Sequence, residues 1–101
     1  MSLLYRFHPL AEQELSEAVE YLEAERPGTG LALAAAVEQA ILQVCEYPQG
    51  APLVRPNIRA KAVLPTRRWH YAVIYRVQPG YIRVLAVAHR RRQPFYWLGR
   101  R

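Results

Sequence analysis

The chain contains no aspartate, a single cysteine, and no acidic residue after Glu46. Each gap closes a route. One thiol, Cys45, cannot form an intramolecular disulfide, which fits a reducing compartment and sets the expected location as cytoplasmic. His8 and His70 are far apart and show no ligand spacing. With one cysteine and no aspartate, neither a metal site nor a cofactor is expected. No apolar run reaches the roughly 18 residues of a membrane span. The N-terminus lacks the charged-then-apolar pattern of a secretory signal, so no membrane partner is expected. Gly28-Thr29-Gly30 lacks the spacing and the lysine of a phosphate loop, so it reads as a helix cap.

What is present is charge, unevenly placed. The first fifty residues hold all eight glutamates and only Arg6 and Arg26, for a net −6. The last fifty-one hold twelve cations and no anion, for +12. Such a half is costly to fold unless a surface uses the potential, and its natural partner is nucleic acid or an acidic protein. At 101 residues and 51% hydrophobic composition, residues 1–101 are expected to form one domain with one core.

The periodicity changes along the chain. Leu3 to His8 alternates and predicts a short strand. Pro9 suits a first helical turn, and Ala11, Leu15, Ala18, Val19 and Leu22 form a stripe at 3.6-residue spacing. The glutamates of this helix spread round its polar face and read as a solvated surface. After Pro27-Gly28, Thr29 is the expected cap of a second helix with the stripe Leu33, Val37, Ala40, Ile41 and Val44, closed by Tyr47-Pro48. The short break requires a helical hairpin. Gly50 to Asn57, with two prolines, is expected to be loop. Ile58–Leu64, Tyr71–Val77 and Tyr81–His89 read as strands, the last two pairing around Pro79-Gly80. The expected fold is α+β: an N-terminal strand, at or near the sheet edge, and an α-helical hairpin packed on a twisted antiparallel β-sheet.

In this order, several strings resemble the RelE/ParE superfamily of bacterial toxins. They are Phe7-His8-Pro9 entering an acidic helix, Tyr21-Leu22, the Pro-Gly-Thr-Gly break, Tyr47-Pro48, Val73-Ile74-Tyr75-Arg76-Val77, and Val84 through Arg92 with Tyr96-Trp97 beyond. The resemblance covers nearly the whole chain. It implies the toxin of a type II toxin–antitoxin pair with a cognate antitoxin as partner. ParE-like members imply DNA gyrase as target, and RelE-like members imply cleavage of mRNA on the ribosome. A third expectation is a non-toxic remnant that still binds its antitoxin.

For the RelE-like branch, the resemblance assigns Arg59 and Lys61 to the paired basic positions, Arg90 to the C-terminal arginine and Tyr96 to the tyrosine. Attack of a 2′-hydroxyl on the adjacent phosphate needs a cation for the developing charge and a proton carrier for each oxygen. RelE-like members usually carry arginine directly after the residue matching Tyr71, whereas this chain has Ala72. That departure and the long hairpin favour the ParE-like branch. Expected target- or antitoxin-binding residues are Arg76, Arg83, His89, Arg90, Arg91, Arg92, Tyr96 and Trp97. The arginine run has three readings: contact with nucleic acid, contact with an acidic protein, or a solvated cationic tail. His89 reads as a general acid or as a structural or interface residue.

Overall fold

The structure, a computed structural model, describes residues 3–101. Its elements are β1 (Leu4–Phe7), α1 (Pro9–Glu25), α2 (Thr29–Glu46), β2 (Leu53–Arg55), β3 (Ile58–Ala62), β4 (Tyr71–Gln78) and β5 (Tyr81–His89). One five-stranded sheet runs β1-β5-β4-β3-β2. The helical hairpin covers one face, and the segment after β5 covers part of the other.

The helices form where the stripes place them. Pro9 is at the first turn of α1, and His8 caps it: the Leu10 N–H donates to His8 Nδ1 (3.1 Å). On α2 the expected stripe of Leu33, Val37, Ala40, Ile41 and Val44 is buried, with Cys45 beside it. These side chains pack on Val63, Val73, Tyr75, Ile82, Val84 and Val87 of the sheet. The hairpin is tight because Gly30 has no side chain. A Cβ there would collide with the Val19 carbonyl oxygen and stand 2.6 Å from Glu23 Cγ.

Three local expectations change. Thr29 is not the cap of α2. Gly28 takes that position at φ 93°, and Glu23 of the preceding helix accepts from the Gly28 N–H (3.0 Å) and the Leu31 N–H (2.9 Å). These backbone donors hold the Glu23 carboxyl below its ordinary pKa. The segment expected to be loop contains β2, a three-residue edge strand between Pro52 and Pro56. Arg55 faces Ile58 across Pro56-Asn57, and Asn57 has φ 63°. Proline followed by a residue tolerant of positive φ suits a type II turn, and edge strands accept flanking prolines. Third, β1 is an edge strand as expected, but it pairs parallel to β5, while every other pair is antiparallel. Antiparallel neighbours here are joined by short turns. β1 is separated from β5 by the rest of the fold, and a long connection is what parallel pairing requires.

Candidate functional site

The second face of the sheet is where the basic half concentrates. A bulge in β5 creates it. Ile74 faces Ala86 and Tyr75 faces Val84, so Leu85 is an extra residue on that strand. Leu85 and Ala86 consequently both join Ile58, Ile74 and Trp97 in a second apolar cluster, away from the helices. Trp97, 4% exposed, pins the C-terminal segment onto that cluster.

The segment is latched at its far end. β1 ends its pairing with β5 at Phe7 and Val84, and the His8 N–H donates to the Val84 carbonyl (2.8 Å). Beyond that point two side chains complete the strand edge. Glu14 Oε1 accepts from the Val87 N–H (3.1 Å), and Arg100 Nη1 donates to the Leu85 carbonyl (3.0 Å). The same two residues form a two-pronged ion pair, Nη1 to Oε1 at 3.0 Å and Nη2 to Oε2 at 3.2 Å. Their side chains are 12% and 13% exposed, so solvent screens the pair little. Arg92 lies at 4.0 Å from Glu14 Oε2 and stacks over the Tyr96 ring, 4.0 Å from its centroid. Glu14 is therefore no solvated surface glutamate, unlike Glu12, Glu17 and Glu20, which are exposed. Its partner lies 86 residues away, so helical spacing gave no signal of it.

Between this segment and the sheet lies a groove of about 370 Å³. Ala62, Ala72 and Ala88 line it, and these are register partners in one row across β3, β4 and β5. Three methyl groups in a row leave the space that larger residues would fill. Trp69, Phe95, Tyr96 and Trp97 also line it, together with His70, His89, Arg90 and Arg92. Arginines stack on three of these rings: Arg68 on Trp69 (4.4 Å), Arg92 on Tyr96, and Arg55 on Phe95 (5.2 Å). Phe95 has φ 59°, a left-handed backbone unusual for a side chain of that size. The Nδ1 of His70 is buried without a hydrogen-bond partner.

His89 closes β5 beside this groove. The Arg91 N–H donates to its Nδ1 (3.0 Å), and its ring meets Tyr71 edge-on at 4.9 Å. That hydrogen bond assigns the neutral Nε2–H tautomer. Burial, and then Arg91, His70 and Arg90, lower its pKa. The Tyr96 hydroxyl is buried without a hydrogen-bond partner; burial first, and then the nearby Glu14 carboxylate, push its pKa up.

The four residues assigned to RNA cleavage are not brought together. Arg59 and Lys61 face Tyr75 and Val73 across β3–β4, on the helix-covered side of the sheet. Arg59 Nη1 is committed to the Ala51 carbonyl (2.6 Å) and the Gln49 carbonyl (3.2 Å). Lys61 borders a cavity with Gln43, Val44 and Tyr47 at the end of α2. Arg90 and Tyr96 line the groove on the opposite face. Of the remaining expected residues, Arg83 serves the fold, donating to the Phe7 carbonyl and the Arg101 carbonyl, both at 3.0 Å. Arg76 stands opposite it on β4. Arg90, Arg91 and Arg92 are exposed, and Trp97 is buried.

A helical hairpin on a sheet whose other face carries a cationic, aromatic C-terminal segment defines a RelE/ParE-type domain. The family model described as "ParE toxin of type II toxin-antitoxin system, parDE" matches residues 5–94, and the chain belongs to that family. No curated protein matches the sequence. Among solved structures, a chain of the chromosomal ParDE toxin–antitoxin system from P. aeruginosa is similar in fold. Its TM-score is 0.73 at 17% identity, with 87% of this chain and 96% of that chain covered. No helix among the described residues is long and apolar enough to cross a membrane.

Proposed function

We propose that this chain is the toxin half of a type II toxin–antitoxin pair, that it arrests growth by binding DNA gyrase, and that a cognate antitoxin neutralises it. The observation that carries this reading is the separation of Arg59 and Lys61 from Arg90 and Tyr96 by the thickness of the sheet. Cleavage at one phosphate needs cation, base and acid around a single point. Ala72, on the central strand, adds no cation there. What the chain offers is a surface of exposed arginines and aromatic rings, suited to gripping a target. Family membership supports a cognate antitoxin as partner. Both proposed partners imply action in the cytoplasm, where the lone buried thiol of Cys45 stays reduced.

The test is induction of the chain with parallel readout of the DNA-damage response and of mRNA cleavage, together with a supercoiling assay on purified gyrase. Growth arrest, DNA damage and inhibited supercoiling without mRNA cuts are expected. Cleavage of mRNA that disappears in Tyr96→Phe and Arg90→Ala would replace this reading with a ribonuclease. Absence of growth arrest would identify a remnant that only pairs with an antitoxin.

A further inference from the structure

Both tryptophans of the chain, Trp69 and Trp97, line the groove over the alanine row. We propose that this groove seats one bulky apolar side chain presented by an acidic segment of a partner protein. The attribution of that segment to the antitoxin, and that alone, rests on the toxin reading.

Three features of the groove select this occupant. The row Ala62, Ala72 and Ala88 offers only methyl groups, with nothing to hydrogen-bond the edge of a nucleotide base. Such a surface rewards an apolar group simply by taking it out of water. The volume of about 370 Å³ lies at the small end of ligand sites and suits one large side chain with its flanking backbone.

The charge is also one-sided. Arg90 and Arg92 are among the lining residues, no carboxylate is, and Arg55 and Arg68 stand behind two of the rings. Arg92 has Glu14 only at 4.0 Å and keeps 55% of its side chain exposed. Acids flanking the anchor residue would therefore meet unspent positive charge.

Finally, a strand edge is open beside the groove. β2 borders only the Ile58 end of β3, through Leu53 with Arg59, Arg55 with Ile58, and the Ala60 N–H donating to the Pro52 carbonyl. The Lys61–Ala62 end is left as a sheet edge. An extended peptide can add to such an edge, whereas a nucleotide cannot.

The experiment is a titration of the purified full-length chain with an acetylated, amidated pentapeptide Glu-Asp-Phe-Glu-Asp. The probe contains no tryptophan, so the fluorescence of Trp69 and Trp97 reports occupancy directly. A saturable change is expected. Replacing the central phenylalanine of the peptide by alanine should weaken binding about tenfold, and so should Ala72→Leu, which fills the groove. Arg90→Ala should weaken binding and flatten its salt dependence. The Arg90 side chain is exposed, so this variant and the alanine peptide decide the matter should Ala72→Leu not fold. No saturable change with the pentapeptide, or equal binding by its alanine form, would overturn the proposal. Tighter binding of adenosine monophosphate than of the peptide would overturn it too, in favour of a nucleotide site. Growth arrest on induction judges the toxin reading separately. A toxic chain with a peptide-blind groove keeps that reading and loses this one; a harmless chain that binds the peptide does the reverse.

Discussion

Gly30 and Glu23 act as one device at the helix turn. The glycine lets the two helices close, and the glutamate reaches across the gap to cap α2. A methyl group at Gly30 would strike the Val19 carbonyl and push Glu23 off the Gly28 and Leu31 N–H groups. Gly30→Ala should cost about 2 kcal/mol and lower Tm by about 8–16 °C, measured by thermal melts followed by circular dichroism. The two histidines that cap or close elements set a pH dependence. His8 and His89 both titrate below their ordinary value of 6.5, chiefly through burial and then through neighbouring arginines. As pH falls through 6.5 the unfolded chain takes up protons first, so acidification destabilises the fold down to the lowered values. Above about pH 7 both forms are neutral, and the effect of these histidines vanishes. Urea unfolding at pH 7.5 and 5.5 should show this loss, and His89→Gln should reduce it. Glu23 does not interfere, because its influence begins only below 4.5.

At the scale of elements, strand β5 is the organiser. It carries β1 on its outer edge as far as Val84, and the Glu14–Arg100 pair takes over at Leu85 and Val87. The C-terminal segment is thereby tied to α1 and held over the second apolar cluster. Glu14→Ala would strip Arg100 of its partner and leave the Val87 N–H without an acceptor. It should cost about 2–4 kcal/mol, raise the solvent exposure of Trp97 as a red-shifted emission, and speed tryptic cleavage after Arg92. The helices and the strands β3 to β5 were legible in the sequence, because stripes at 3.6-residue spacing and apolar runs record a local repeat. β2 was not. Its prolines read as loop signals, and only the turn at Asn57 turns them into the frame of an edge strand. The direction of β1 was not legible either, since no local pattern encodes which way a distant strand lies alongside it.

For the whole molecule, the uneven charge resolves onto two sides of the fold. Six of the glutamates are exposed on the helical hairpin. The cations gather on the sheet and its C-terminal cover. Long-range attraction of an acidic partner follows, so association with the proposed antitoxin should slow about tenfold or more between roughly 0.05 and 0.5 M salt. Dissociation should change far less. Surface plasmon resonance across a salt series reads both rates.

The sequence by itself determined the class of fold, the burial of the α2 stripe and Cys45, the charged halves and the likeness to one superfamily. All of these depend on residue type and near-neighbour spacing. The candidate site was legible only in part. Arg90, Arg92, His89, Tyr96 and Trp97 stood out as a basic and aromatic cluster, and they do meet at the groove. Tertiary structure alone decided that Arg59 and Lys61 turn to the other face, because strand alternation gives two sides without saying which one the helices cover. It alone joined Glu14 to Arg100, and aligned Ala62, Ala72 and Ala88 in one row. Those contacts depend on the register between strands and on the path of a tail, and neither is recorded in the order of residues along a single segment.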